Sequence, residues 1–300
     1  MKLLGRYKNG NYNVTIFDDG TKIRETKEDK FVADFPECMD VKITNYCDMG
    51  CPYCHEASSK EGKHGDILNL KFIDTLKPYT ELAIGGGNPL SHPDLEEFLE
   101  VLKERKIIAN MTINQKHFEE CEPYINTLVK EGLIKGLGVS LRNPTKEFIE
   151  KIKKYPNAVI HVINGIVTVE DLEKLYDNNL KILILGYKTF RKGIQYHSDT
   201  VEMNKALVKF KMEEILKHFK VVSFDNLAIE QLEAKRLMTE EEWDEFYMGD
   251  DGQFTMYIDL VEKQFARCSV SDFRYTLKDN IEEMFQVVKE EVEDGYSSKN

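Results

Sequence analysis

From residue 39 onward, apolar strand-like runs alternate with helix-like stretches, and this repeat limits the fold more than any other feature of the chain. Residues 39–44, 81–84, 107–113, 137–141, 158–163 and 180–185 read as six strands. Residues 68–76, 93–106, 117–131, 145–154, 168–176 and 202–218 read as the helices between and after them. Ser91 is placed to cap the second helix, with Asp94 and Glu96 at its positive end. Pro123 should interrupt the third, and Thr168 to Asp171 resembles a capping box. Such β/α units imply parallel strands joined by right-handed crossovers. Their barely alternating apolar character fits a sheet covered on both faces, as a curved partial barrel or an open doubly wound sheet. In the barrel geometry, functional groups gather at the strands' C-terminal ends.

The flanks read differently. Residues 11–17 and 21–26 suggest a β-hairpin about the turn Asp18-Asp19-Gly20, giving an N-terminal β extension over 1–37. After residues 221–224 the repeat breaks. Helices at 226–237, 240–246 and 281–293, with a hairpin of 254–260 and 264–269, suggest an α+β cap over 226–300. Trp243, Phe246, Tyr247, Phe254 and Tyr257 are its expected core, and residues 297–300 its polar end. The formal charge is −12, and residues 239–300 hold 17 acidic against 6 basic residues. That is a solvated acidic face, or a frame for a cationic substrate or partner. No basic stripe points to duplex nucleic acid. No run of eighteen apolar residues is long enough to span a membrane, and the N-terminus lacks a signal peptide's apolar stretch. Six cysteines, three of them clustered, do not read as a disulfide framework, so a cytoplasmic location is expected.

The cluster is Cys47, Cys51 and Cys54, in the loop Cys-Asp-Met-Gly-Cys-Pro-Tyr-Cys directly after the first strand of the repeat. Three thiolates with no fourth in sequence reach can hold three corners of an iron–sulfur cube and leave one iron open to a small molecule. Gly50 would let the loop wrap a compact group closely. Two other readings use the same residues: a structural zinc site completed by His55 or His64, and a redox pair of Cys51 and Cys54. A second element, Gly85-Gly86-Gly87-Asn88-Pro89, ends the second strand, where a glycine run is either a turn or a ligand contact.

The spacing Cys-x3-Cys-x2-Cys after the first barrel strand, with the aromatic Tyr53 before the last cysteine, resembles the radical S-adenosylmethionine (radical SAM) superfamily over residues 38–225. The resemblance implies an α/β fold, a partial (β/α)6 TIM-type barrel carrying the N-terminal β extension and the C-terminal cap. It implies one [4Fe–4S] cluster on Cys47, Cys51 and Cys54, with S-adenosylmethionine chelating the fourth iron. One electron, from a reductant such as flavodoxin or ferredoxin, would then cleave S-adenosylmethionine to methionine and a 5′-deoxyadenosyl radical that abstracts hydrogen from a substrate. Gly85, Gly86, Gly87 and Asn88 match the family's Gly-Gly-Glu-Pro-type segment, which binds the S-adenosylmethionine amino group; here an amide replaces the acid. By the same resemblance Asn114 belongs to the polar pair that ends the third strand, Ser140 and Arg142 would hold the ribose and carboxylate, and Ile166 and Leu185 would pack near the adenine.

Cys38, Cys121 and Cys268 are too few for a second cysteine-ligated cluster. The hairpin that ends at Cys268 resembles the SPASM extension of peptide-modifying relatives, without its opening cysteine and with Lys263 at its glycine position. Cys268 is read as a hydrogen-atom donor or as a small buried hydrophobe. Tyr187, Lys188 and Arg191 are candidate substrate contacts or solvated loop residues. The expected substrate is a peptide or protein; a small metabolite and a nucleotide are the alternatives, and a non-catalytic zinc-binding module is the contrasting class.

Overall fold

The computed structural model describes residues 1–297, so positions 298–300 of the expected polar end lie outside the described residues. Strands β1 (Leu3–Asn9), β2 (Tyr12–Phe17) and β3 (Lys22–Glu25) form an antiparallel sheet in that order. The expected β extension of 1–37 thus has a strand before its hairpin, β1, whose charged residues and Gly5 hide its bounds in the sequence and whose long register with β2 defines it.

The main sheet begins with β4 (Cys38–Thr44), β5 (Glu81–Gly86), β6 (Ile108–Asn114) and β7 (Gly136–Ser140). It continues with β8 (Ala158–Ile163), β9 (Lys181–Leu185) and β10 (Val221–Phe224). These pair in parallel, each with the next. The other side of β4 takes β11 (Thr255–Asp259), also parallel, with Asp259 in register with Lys42. Strands β12 (Gln264–Ala266) and β13 (Tyr275–Thr276) follow antiparallel. The hairpin near the C-terminus is thus continuous with the main sheet, whose edges are β10 and β13. Lys263, at the hairpin's expected glycine position, has φ +53°, the left-handed conformation that glycine adopts at least cost.

The helices are α1 (Leu95–Glu104), α2 (Gln115–Glu120), α3 (Glu122–Lys130), α4 (Lys146–Ile152) and α5 (Val169–Leu175). Then come α6 (Lys192–Tyr196), α7 (Asp199–Ile215), α8 (Asn226–Leu232), α9 (Glu240–Phe246) and α10 (Ile281–Ser297). Helix α1 buries Leu95, Phe98, Leu99 and Leu102, one face at helical spacing. The helix expected at 68–76 is only a 3₁₀ turn, Lys71–Thr75. Asp94, not Ser91, precedes α1. The break expected at Pro123 falls at Cys121, which separates α2 from α3 and leaves proline in the first turn of α3, where its missing N–H costs nothing. Thr168 does cap α5 through the Asp171 amide, while the reciprocal box occurs at Thr239 and Glu242. The expected aromatic core of the cap is not one cluster: Phe254 and Tyr257 are buried, but Phe246 is 60% exposed.

Helix α2 is short and depends on packing to stay in place. Phe118, fully buried, meets Phe148 and Tyr155 edge-on at 6.0 and 5.5 Å. Phe118→Ala should lower the unfolding free energy by about 3–5 kcal/mol in a denaturant titration. A loss below about 1 kcal/mol would mean that this packing does not anchor the helix.

Candidate active site

The main sheet curls around a cavity of about 1160 Å³. Its wall is made of alternate strand residues, among them Asp40 and Lys42 of β4, Asn110 and Thr112 of β6, Gly138 of β7, His161 of β8 and Tyr257 of β11. The intervening residues, such as Met39, Ile43, Val139 and Ile160, lie in the hydrophobic core. The strands therefore turn an apolar face to the helices and a small or polar face inward. Gly138 is required there: a Cβ would lie 2.5 Å from the His161 ring and 2.7 Å from Thr112 Oγ1. The floor is the β2–β3 turn, where Asp18, Asp19 and Gly20 line the cavity and Asn157 Nδ2 donates to the Asp18 carbonyl at 2.9 Å. Lys22, 3.1 Å from Glu37 and 2.7 Å from Glu81, ties that hairpin to the residue before β4 and to β5.

Cys47, Cys51 and Cys54 all line this cavity, past the C-terminal end of β4, and all three are free and partly buried. Gly50, between them, has φ +63° and open space where a Cβ would stand. Burial pushes the Cys47 and Cys51 thiols up, and the neighbouring thiolates push them further. Three thiols within electrostatic reach of one another, facing a shared space, form a donor set that a cationic centre would stabilise. Among the described residues, no three His, Cys, Asp or Glu side chains are gathered as a single-ion site. One zinc ion needs ligands that converge on a point, whereas a cube spreads its cysteines over different irons. Of the histidines in the zinc reading, His55 lines the cavity, while His64 Nδ1 is engaged at 2.9 Å with Thr44 Oγ1. Tyr53 also lines the cavity; burial pushes its phenol up to about 12.

The triple glycine serves two purposes. At Gly86 (φ +113°) a Cβ would meet the Thr44 carbonyl at 2.4 Å, and at Gly87 the Tyr46 carbonyl at 2.0 Å. Both glycines thus let the end of β5 lie directly against the chain leading into the cysteine loop. Gly85 has nothing within 4 Å of a Cβ and leaves room in the cavity. Asn88 donates its backbone N–H to Tyr46 O at 2.7 Å; its side-chain Oδ1 is buried without a partner, and the residue is not part of the cavity wall. Asn114, Ser140, Arg142, Ile166 and Leu185 all line the cavity. Asn114 also caps α2, accepting from the Lys116 amide at 3.0 Å. Arg142 lies close enough to favour the Cys51 thiolate. Cys268 is not part of the wall; its neighbour Ser269 is, and accepts from Lys188 Nζ at 3.0 Å.

Sequence reasoning passed over Asp40, Lys42, Glu56 and His161 and placed Tyr257 only in the core of the cap; all five line the cavity. A signal existed for two of them. Asp40 and Lys42 alternate with Met39, Val41 and Ile43, which marks a polar inner face on a strand that otherwise reads as core. Burial pushes the His161 imidazole down to about 4, so the ring is neutral at physiological pH. Asp40 is exposed by surface area, yet that surface faces the cavity and protein surrounds it. Burial accordingly pushes its carboxyl up to about 6.

A carboxyl raised on folding favours the folded state below its unfolded value, near 3.9, and that contribution is lost as the pH rises through 6. Asp40→Asn should therefore raise the thermal midpoint by about 2 °C near pH 7, with the gain shrinking toward zero near pH 4. A gain that grew toward acid would contradict this sign.

Residues 41–223 match the profile of the Radical SAM superfamily. Over 122 residues the chain is 25% identical to a PqqA peptide cyclase of Gluconobacter oxydans, across 39% of this chain and 33% of that protein. Over 151 residues it is 27% identical to a probable GTP 3′,8-cyclase of Methanocaldococcus jannaschii, across 48% of this chain and 49% of that protein. The fold is similar to that of Streptococcus suis SuiB solved with precursor peptide SuiA, with TM-score 0.55 and 16% identity, over 85% of this chain and 65% of SuiB. The chain thus spans a third to a half of the curated relatives and just under two thirds of SuiB. With more than half its length matched, and its three loop cysteines at the mouth of a curled parallel sheet, the chain belongs to the radical SAM superfamily.

Proposed function

We propose that this chain is a cytoplasmic radical SAM enzyme that acts on a peptide. Cys47, Cys51 and Cys54 would hold one [4Fe–4S] cluster, served by a one-electron reductant such as flavodoxin or ferredoxin. A bound, reduced cluster would supply the electron for cleaving S-adenosylmethionine, the chemistry that would remove a hydrogen atom from the substrate. The observation that carries the reading is the meeting of three free cysteines and open-sided Gly85 around one large cavity, on a chain of this superfamily.

The chain's own residues bind, orient and exclude water. Arg142 is suited to pair with the carboxylate of S-adenosylmethionine through two parallel N–H groups. Gly85 leaves space for close backbone approach, and Asn88, outside the cavity wall, ties the following turn to Tyr46. Asn114 and Ser140 offer polar groups at the ends of β6 and β7, while Ile166 and Leu185 offer apolar surface. The β2–β3 turn floors the cavity and shields it from solvent on that side. A peptide is favoured as substrate by the similarity to a peptide cyclase and to SuiB, which binds a precursor peptide. A nucleotide is the second reading, favoured by the likeness to a GTP 3′,8-cyclase.

Reconstituted without oxygen and reduced with dithionite, the protein should convert S-adenosylmethionine to 5′-deoxyadenosine. Cys51→Ala should abolish that conversion and keep the fold; undiminished turnover would remove Cys51 from the ligand set. A short precursor peptide encoded next to the gene, coexpressed with the enzyme, should return with a changed mass. An unmodified peptide together with turnover of GTP would replace the peptide reading with the nucleotide one.

A further inference from the structure

The cysteine loop has little regular structure of its own, so something must hold its sulfurs in place. Glu56 lies two residues past Cys54, and its side chain is 9% exposed. Its Oε2 stands 3.0 Å from Lys42 Nζ, and its Oε1 accepts from the Tyr257 hydroxyl at 3.1 Å. Its backbone carbonyl accepts from Arg191 Nη1 at 2.8 Å. Lys42, 1% exposed, is also 2.8 Å from Asp259 Oδ2. Asp259 in turn accepts from the Val261 and Glu262 amides at the β11–β12 turn. One residue beside Cys54 is therefore bonded to β4, to β11 and to the segment before α6. Buried charges of this kind are tolerated only while each partner stays in place, which makes the linkage rigid. On the other arm of the loop, Asp48 meets His117 of α2 at 2.6 Å.

We infer that Glu56 is a positioning residue for the cysteine triad: through Lys42 and Tyr257 it clamps the chain just past Cys54 to β4 and to the hairpin near the C-terminus. The inference rests on the reading that the triad holds an iron–sulfur cluster. It gives that hairpin, which carries no ligand of its own in this reading, a part in holding the cluster's site.

The test compares wild-type protein with Glu56→Gln and with Lys42→Met/Glu56→Gln. The single change keeps the acceptor for Tyr257 but leaves the Lys42 charge short of a partner. The double change removes the Lys42 and Glu56 charges together and leaves Asp259 held by the Val261 and Glu262 amides, so the fold survives with the ionic part of the clamp gone. All three are reconstituted anaerobically and assayed for iron release to a chelator, for the visible circular dichroism of the cluster and for the melting of the cluster-free chain. Both variants should release iron about tenfold faster and show an altered visible spectrum, with the double variant melting close to wild type. If wild type holds its cluster and the variants match it in release and spectrum, the inference is overturned and the cluster reading stands. If wild type takes up no cluster, the reading falls and the inference with it.

Discussion

The ammonium of Lys42 lies 3.0 Å from Glu56 and 2.8 Å from Asp259, on a side chain that is 1% exposed. A charge so placed is tolerable only with both carboxylates present, because an unpaired buried ion costs several kcal/mol, roughly 3–5 when one partner is removed. Asp259 reaches it only if β11 lies parallel to β4 in the observed register, and Glu56 only if the cysteine loop folds back over the end of β4. One buried ion group thus couples parts of the molecule more than two hundred residues apart in sequence. It also fixes where the loop sits against the sheet.

The second constraint is the inward face of that sheet. A closed eight-stranded barrel fills its interior with branched side chains, leaving no room for a substrate. Here glycine, threonine, asparagine and aspartate occupy many of the inward positions, and the sheet remains open between β10 and β13. The result is a polar chamber floored by the β2–β3 turn, with the three cysteines at its C-terminal rim. Such an enclosure suits reactive chemistry, since it keeps water from competing with the substrate. Asp40 and His161 are both shifted toward their neutral forms by the same enclosure, which disfavours charge on the groups that line it.

The parallel core was legible because each β/α unit carries its own local signal: apolar runs of strand length, then a helix with one buried stripe. The cysteine loop was legible because its ligands lie within eight residues. The pairing of β11 with β4 was not, because it joins positions more than two hundred residues apart and leaves no periodic trace. Glu56 and Tyr257 were missed as partners for the same reason: each is an ordinary residue until the fold brings them within 3.1 Å. The glycine run was read as a turn or a ligand contact, and all three glycines line the cavity. Two of its three members are also required by backbone packing against Thr44 and Tyr46, a need set by contacts that the sequence does not show.

The proposal that one iron of a cluster on Cys47, Cys51 and Cys54 stays free for S-adenosylmethionine is tested most directly by electron paramagnetic resonance. The anaerobically reconstituted, dithionite-reduced protein should give the signal of a reduced [4Fe–4S] cluster, and adding S-adenosylmethionine should shift that signal. A cluster signal indifferent to S-adenosylmethionine, or a colourless protein that retains zinc instead, would contradict the account.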